Sequence, residues 1–174
     1  ILKRMVEFRR IERGFTIVEL LIVIVVIGIL AAMVIVAYSG VTGRANDEAV
    51  KSNLEGYAKQ LALYEAANGA YPATVNDFLN SSGGVKASKG SYNTSINFNF
   101  LVCMGSGATT FAIIAESSTT NRFYVSNSSQ TPTATSQALY DPVNGTSAVC
   151  GALGAPPGDR LYMWMSGWNS KVGS

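Results

Sequence analysis

The hydrophobic pattern changes character several times along the chain. Residues 1–14 are polar and mostly basic, with Lys3, Arg4, Arg9, Arg10 and Arg13 set against Glu7 and Glu12. Phe15-Thr16-Ile17-Val18-Glu19 follows Gly14 and leads into Leu20 to Ala37. That run is roughly 18 residues without a charge, a length that crosses a hydrocarbon core as a helix. From Val41 to Asn68 the pattern becomes amphipathic. Val50, Leu54, Tyr57, Leu61 and Tyr64 recur at three- and four-residue steps, with Asp47, Glu48, Lys51, Glu55 and Lys59 on other faces. This predicts a helix with a core-facing stripe against a sheet, the alternative being a short coiled-coil seam. Asn68-Gly69 and Tyr71-Pro72 stop it. If both stretches are continuous, the helix runs from about residue 15 to 68 and is roughly 80 Å long.

Beyond the helix the pattern is shorter in range. Pro72 to Ser95 reads as an irregular connection, with one short helix near Val75 to Leu79 and a flexible turn at Ser81 to Gly84. Ile96, Phe98, Phe100 and Val102 alternate with Asn97, Asn99 and Leu101, the period of a strand. Phe111 to Ala115 and Arg122 to Val125 are two further strands, joined by turns at Gly105-Ser106-Gly107 and Thr119-Thr120-Asn121, and Leu161 to Met165 is a candidate edge strand. Ser126 to Gln137, rich in Ser and Thr and containing Pro132, reads as an exposed loop whose hydroxyls are candidates for glycosylation. Tyr162, Met163, Trp164, Met165 and Trp168 read as the completion of a small core, the sharper alternative being an adhesive or sugar-binding surface. The predicted class is α+β: a long N-terminal helix, apolar in its lower half and amphipathic above, packed on a small antiparallel sheet of three to four strands.

Composition narrows the chemistry. Charged residues make up only 14% of the 174 positions and the net charge is +2, against about a quarter charged in typical domains. Without residues 1–14, basic and acidic side chains nearly balance, so no broad electrostatic footprint for nucleic acid exists. Lys86 and Lys89 form a small basic spot that reads as a solvated loop, leaving DNA a partner without support. Histidine is absent, which excludes histidine triads, histidine bases and histidine metal sites. Serines stand without a recognisably spaced base, and the glycines form no phosphate loop, so the chain does not read as an enzyme and implies no cofactor. Cys103 and Cys150 form no C-x-x-C pair. In an exported domain the default for them is one disulfide, the alternative two buried thiols. Closing a loop of about 48 residues contributes about 4 kcal/mol by chain entropy.

Three readings compete for the N-terminal segment. A secretory signal peptide would end at a small-residue site such as Ala31-Ala32 or Ala37-Tyr38-Ser39. A plain single-pass anchor explains the length and the basic flank, which stays in the cytoplasm. The third is a signal cut before the apolar run. Glu19 decides between the last two, because a charge costs about 2.5–3.5 kcal/mol at a membrane helix centre, less near its end, and a mere anchor has no need of it. After a cut behind Gly14, Phe15 carries a cationic amine and Glu19 lies one helical turn away. In a staggered bundle Glu19 of one copy neutralises the amine of the next and penalises wrong stagger.

Arg13-Gly14-Phe15-Thr16-Ile17-Val18-Glu19-Leu20-Leu21-Ile22-Val23, continuing through Ile27-Gly28-Ile29-Leu30-Ala31-Ala32 to Ala37-Tyr38, resembles the class III signal of type IV pilins and pseudopilins. The resemblance implies a leader at 1–14 and cleavage between Gly14 and Phe15 by a membrane-embedded prepilin peptidase. It implies N-methylation of Phe15, an assembly role for Glu19, a transmembrane and assembly helix at 15–38, its amphipathic continuation at 39–69 and a globular head at 70–174. It further implies a membrane-inserted precursor with a cytoplasmic N-terminus. An assembly platform and ATPase would lift it into a homo-oligomeric surface filament for adhesion, motility or DNA uptake. The alternatives are a pseudopilin of a type II secretion or competence system and a non-assembling surface domain. Cys103 and Cys150 resemble the pair that bounds the C-terminal region of pilins. Many relatives carry proline where this chain has Val36, and that proline is associated with local melting of the helix in filaments. Gly28, Gly40 and Gly43 are then the softer positions. Major secretion pseudopilins bind calcium in a C-terminal loop, but Asp141 and Asp159 stand isolated here.

Overall fold

The computed structural model describes residues 14–73, 77, 78, 80, 87–96, 99–140, 142, 143 and 145–155, with the backbone alone at 106 and 160–163. The chain divides into two units, Ile1–Gly40 and Val41–Ser174. Helix α1 (Ile17–Asn68) contributes to both. It is unbroken at Val36, whose carbonyl accepts the Ser39 hydroxyl at 2.9 Å, and Gly28, Gly40 and Gly43 all lie inside it. Its C-terminus is where Asn68-Gly69 predicts it. Gly69 adopts φ 78°, the left-handed conformation that closes a helix, and its N–H donates to the Glu65 carbonyl at 2.7 Å.

In the second unit, β1 (Phe100–Met104), β2 (Phe111–Glu116), β3 (Arg122–Ser126), β4 (Ser129–Ala134) and β5 (Arg160–Met163) form one sheet in the order β4-β3-β2-β1-β5. Every pairing is antiparallel. The α+β architecture is as expected, and the sheet has five strands. The additional one, β4, lies in the Ser/Thr-rich segment expected to be a loop. It sits at the sheet edge with its side chains exposed or half-exposed, so no apolar alternation marks it. Threonine suits an extended backbone, and an edge strand tolerates Pro132 because one side of its backbone needs no ladder bonds. The first strand begins at Phe100 rather than Ile96. Residues 97 and 98 lie outside the described residues, as do most of 75–79, all of 81–86, Asp141, Asp159, Trp164, Met165 and Trp168.

β1 and β2 are buried at every position because both faces of the sheet are covered. Val50, Leu54, Tyr57, Ala58 and Leu61 of α1 pack with Phe100, Val102, Phe111, Ile113, Phe123 and Val125 on one face. Tyr64 of the expected stripe is only half-buried. Tyr57 meets Phe100 edge-on at 5.4 Å and Phe78 at 5.9 Å. On the other face Leu101, Cys103, Ala112 and Ile114 pack against Leu139, Leu153 and helix α2 (Gly145–Ala152) through Val149 and Cys150. Cys103 and Cys150 form a disulfide, Cα atoms 5.5 Å apart, that ties α2 to β1.

Two polar clusters fix the sheet further. Glu116, 3% exposed, accepts Arg122 Nε at 2.5 Å and Asn93 Nδ2 at 2.6 Å, so both oxygens of a buried carboxylate are paired. Asp47 of α1 holds the β2–β3 turn. Its Oδ1 accepts the Ser117 and Thr119 hydroxyls, each at 2.5 Å, and its Oδ2 accepts Asn121 Nδ2 at 2.7 Å. Asn46 Nδ2 adds a bond to Ser118 Oγ at 2.8 Å. The close approach depends on Gly43, where a Cβ would lie 3.1 Å from the Thr119 methyl.

Burial pushes the Asp47 carboxyl up. The bonds from Ser117, Thr119 and Asn121, with the Lys51 charge, outweigh it and hold the group below its ordinary value of 3.8. A lowered folded pKa contributes stability above the unfolded value, and that contribution is lost as pH falls through the folded one. Asp47→Asn should therefore be less stable than the parent near neutrality, and the difference should shrink below about pH 4. Urea unfolding of the full chain in detergent across that range checks this. A constant difference at all pH values would contradict it.

Candidate processing and assembly segment

The first unit begins with an extended Gly14-Phe15-Thr16 and enters α1 at Ile17. Thr16 is the residue before the helix and Glu19 the third residue within it, the spacing of a capping box. The structure closes that box. Glu19 N–H donates to Thr16 Oγ1 at 3.2 Å, and Thr16 N–H donates to Glu19 Oε2 at 2.9 Å. The Thr16 hydroxyl also donates to Oε2, at 2.8 Å. Thr16 carbonyl accepts the Leu20 N–H at 3.3 Å and starts the ladder. Sequence reasoning assigned Glu19 to a partner's amine and missed Thr16. The signal was the Thr-x-x-Glu spacing ahead of an apolar run. The box gives Glu19 a local role at the helix start, beside any role between copies.

From Ile17 to Tyr38 the helix has no polar face. Its large apolar side chains are 47–84% exposed, with Phe15 at 82%. The most apolar 18-residue window has mean hydropathy 3.4 with none of it buried, so α1 is long and apolar enough to cross a membrane. Sequence expectation placed processing at Gly14 and Phe15, methylation at Phe15 and assembly at Glu19. These positions fall within one short stretch, Phe15 and Glu19 on either side of the capping threonine. Of the expected leader, 1–14, residues 1–13 lie outside the described residues. Cys103 and Cys150 belong to the other unit and serve its core. Among the described residues no group of three or more His, Cys, Asp or Glu side chains gathers as metal ligands.

An apolar helix of membrane-spanning length, opened by a capping box, is thus joined in one chain to an α+β unit. The prokaryotic N-terminal methylation motif matches residues 9–35. The type II secretion system core protein G of Pseudomonas aeruginosa is 36% identical over 66 residues, 38% of this chain and 46% of that protein. The fimbrial protein of Neisseria meningitidis serogroup A is 36% identical over 89 residues, 49% of each chain. The core protein G of Escherichia coli K12 is 35% identical over 63 residues, 36% of this chain and 43% of that protein. The chain thus spans a little under half the length of the curated relatives it matches. Motif and relatives together support a member of the type IV pilin and pseudopilin family.

Thr16→Val keeps the shape of the side chain and removes both hydroxyl contacts. Amide exchange at Glu19 in detergent micelles should then accelerate several-fold, and Thr16→Ser should restore the parent rate. Equal protection in the valine variant would mean the box does not hold the helix start.

Proposed function

We propose that this chain is a structural subunit of a type IV pilus. A prepilin peptidase cuts between Gly14 and Phe15 and Phe15 is N-methylated. The subunit waits in the cytoplasmic membrane through Ile17–Tyr38, its N-terminus facing the cytoplasm. An ATP-driven assembly machine then moves it into a helical bundle of copies with the second unit facing outward. The observation that carries this reading is the exposed apolar face of α1, which begins inside the matched methylation motif. Apolar area left in water costs roughly 25 cal/mol per Å². Lipid before assembly and neighbouring copies afterwards remove that cost. A pseudopilin of a type II secretion system is the second reading, favoured by the relatives named core protein G. The fimbrial match extends over more of this chain, 49% against 38%, and supports the pilus.

Glu19 has two distinct tasks in this scheme. Its charge neutralises the Phe15 amine of an adjacent copy, and its carboxyl closes the capping box. Glutamine also serves in such boxes, so Glu19→Gln separates the tasks. Both Glu19→Gln and Glu19→Ala should be processed normally and assemble poorly, whereas Gly14→Leu should block processing. If Glu19→Gln builds filaments as the parent does, the charge has no assembly role and capping alone suffices.

Peptide mass spectrometry of a sheared cell-surface fraction tests the whole scheme. N-methylated Phe15 at the terminus is the expected result. Peptides that continue through Gly14, or a terminus created after Ala32 or Ala37, would overturn it.

A further inference from the structure

Within the second unit, an open groove of about 550 Å³ runs between α1 and the β3–β4 edge. Asp47, Lys51, Asn121, Arg122, Phe123 and Ser136 line it. The hydrogen bonds already made there define what remains to be made. Both Asp47 oxygens are occupied by the β2–β3 turn. Arg122 commits Nε to Glu116, and one terminal nitrogen reaches the Ser136 carbonyl at 3.5 Å, the outer limit of a bond. Its other terminal N–H groups have no partner among the described residues. Lys51 gives one hydrogen to Glu48 at 2.8 Å and stands 4.8 Å from the centre of the Phe123 ring. Both cationic side chains are 32% exposed. The groove therefore has surplus donors, two of its sources are cationic, and one presents a planar fork suited to a carboxylate.

Charge and shape narrow the ligand. Counting Glu48 on Lys51, three carboxylates (Asp47, Glu48 and Glu116) face two cations (Lys51 and Arg122), so a dianion such as phosphate gains no net attraction, and a single carboxylate is held by the hydrogen bonds of the guanidinium fork rather than by net charge. Phe123 is only 6% exposed and lies under Lys51, and Ala134 is small, so the groove has no apolar recess for a peptide side chain. The amide oxygen of Asn121 and the Ser136 hydroxyl also have no hydrogen-bond partner among the described residues, and they match sugar hydroxyls. The volume lies within the ordinary range for small-molecule sites, about 300–1,000 Å³. We propose that this groove binds an acidic monosaccharide unit of the hexuronate class. Its carboxylate lies on Arg122 and Lys51, and its hydroxyls lie on Asn121 and Ser136. This stands independently of the filament reading, because every residue it uses lies in the second unit.

The test is a titration of the isotopically labelled full chain with sodium glucuronate, followed by NMR, in a detergent without sugar or phosphate groups. Glucose, acetate and inorganic phosphate serve as comparison ligands. Glucuronate should produce saturable shifts at Lys51, Asn121 and Arg122, and the other three should bind at least about tenfold more weakly. Arg122→Lys retains the charge beside Glu116 and loses the fork, and should weaken glucuronate by about tenfold. Lys51→Gln, at a half-exposed position that leaves the Arg122–Glu116 pair intact, should also weaken it and guards against misfolding in the first variant. Dispersed amide shifts show that each variant is folded. Acetate or phosphate matching glucuronate would reduce the groove to an unspecific anion site and overturn the proposal. So would equal binding of glucose, unchanged affinity in both folded variants, or no saturable shift.

Discussion

The apolar surface of the first half of α1 is the constraint on which the rest depends. Ordinary amphipathic helices turn a polar face to water, but Ile17–Tyr38 has none to turn, and its side chains stand exposed all round. Burial of each large aliphatic side chain is worth about 1.5–3 kcal/mol, so a run of this length demands cover. Hydrocarbon provides it without direction. A bundle of identical helices provides it with direction, and direction requires a marker of register. Among the described residues up to Tyr38 the one charged side chain is Glu19, held at the helix start by Thr16.

The second unit solves the opposite problem. It folds around the other half of the same helix and buries its apolar side chains internally. It does so by burying a sheet on both faces, α1 on one side and α2 on the other. The disulfide between β1 and α2 secures the shorter helix, which at eight residues is too short to be stable alone. Asp47 and Asn46 secure the β2–β3 turn against α1. Thr120 in that turn adopts φ 68°, a conformation unfavourable for a β-branched residue, and the bonds on either side of it hold the turn in place. The β1–β2 hairpin is similarly tight. A Cβ on Gly105 would lie 1.9 Å from Thr110 Oγ1, so any larger residue there would have to displace the Thr110 side chain.

Local periodicity made α1, β2, β3 and most of β1 legible in the sequence, because burial writes itself into the spacing of apolar residues. It also placed the helix stop at Gly69, where one residue type supplies the backbone conformation. β4 was illegible for the converse reason. An exposed edge strand is held by ladder bonds, and Ser, Thr and Pro spell a loop and such an edge alike. Thr16 was legible in principle, since its spacing to Glu19 is a local rule, but the functional interest of Glu19 obscured its capping partner.

The sequence by itself determined the membrane-length apolar segment, the basic flank, the Gly14-Phe15 junction, the acid at Glu19 and the amphipathic stripe above them. Each depends on residues close together in the chain, whose chemistry does not change with the fold. The disulfide between Cys103 and Cys150, the two cysteines of the chain, was likewise expected and is present, whereas tertiary structure alone decided that Asp47 takes three donors from a turn about seventy residues away, and that Lys51 and Arg122 flank one groove. Those contacts arise only when the sheet closes on the helix, because pairing across such separations is set by strand register and packing, and neither is written in any local pattern.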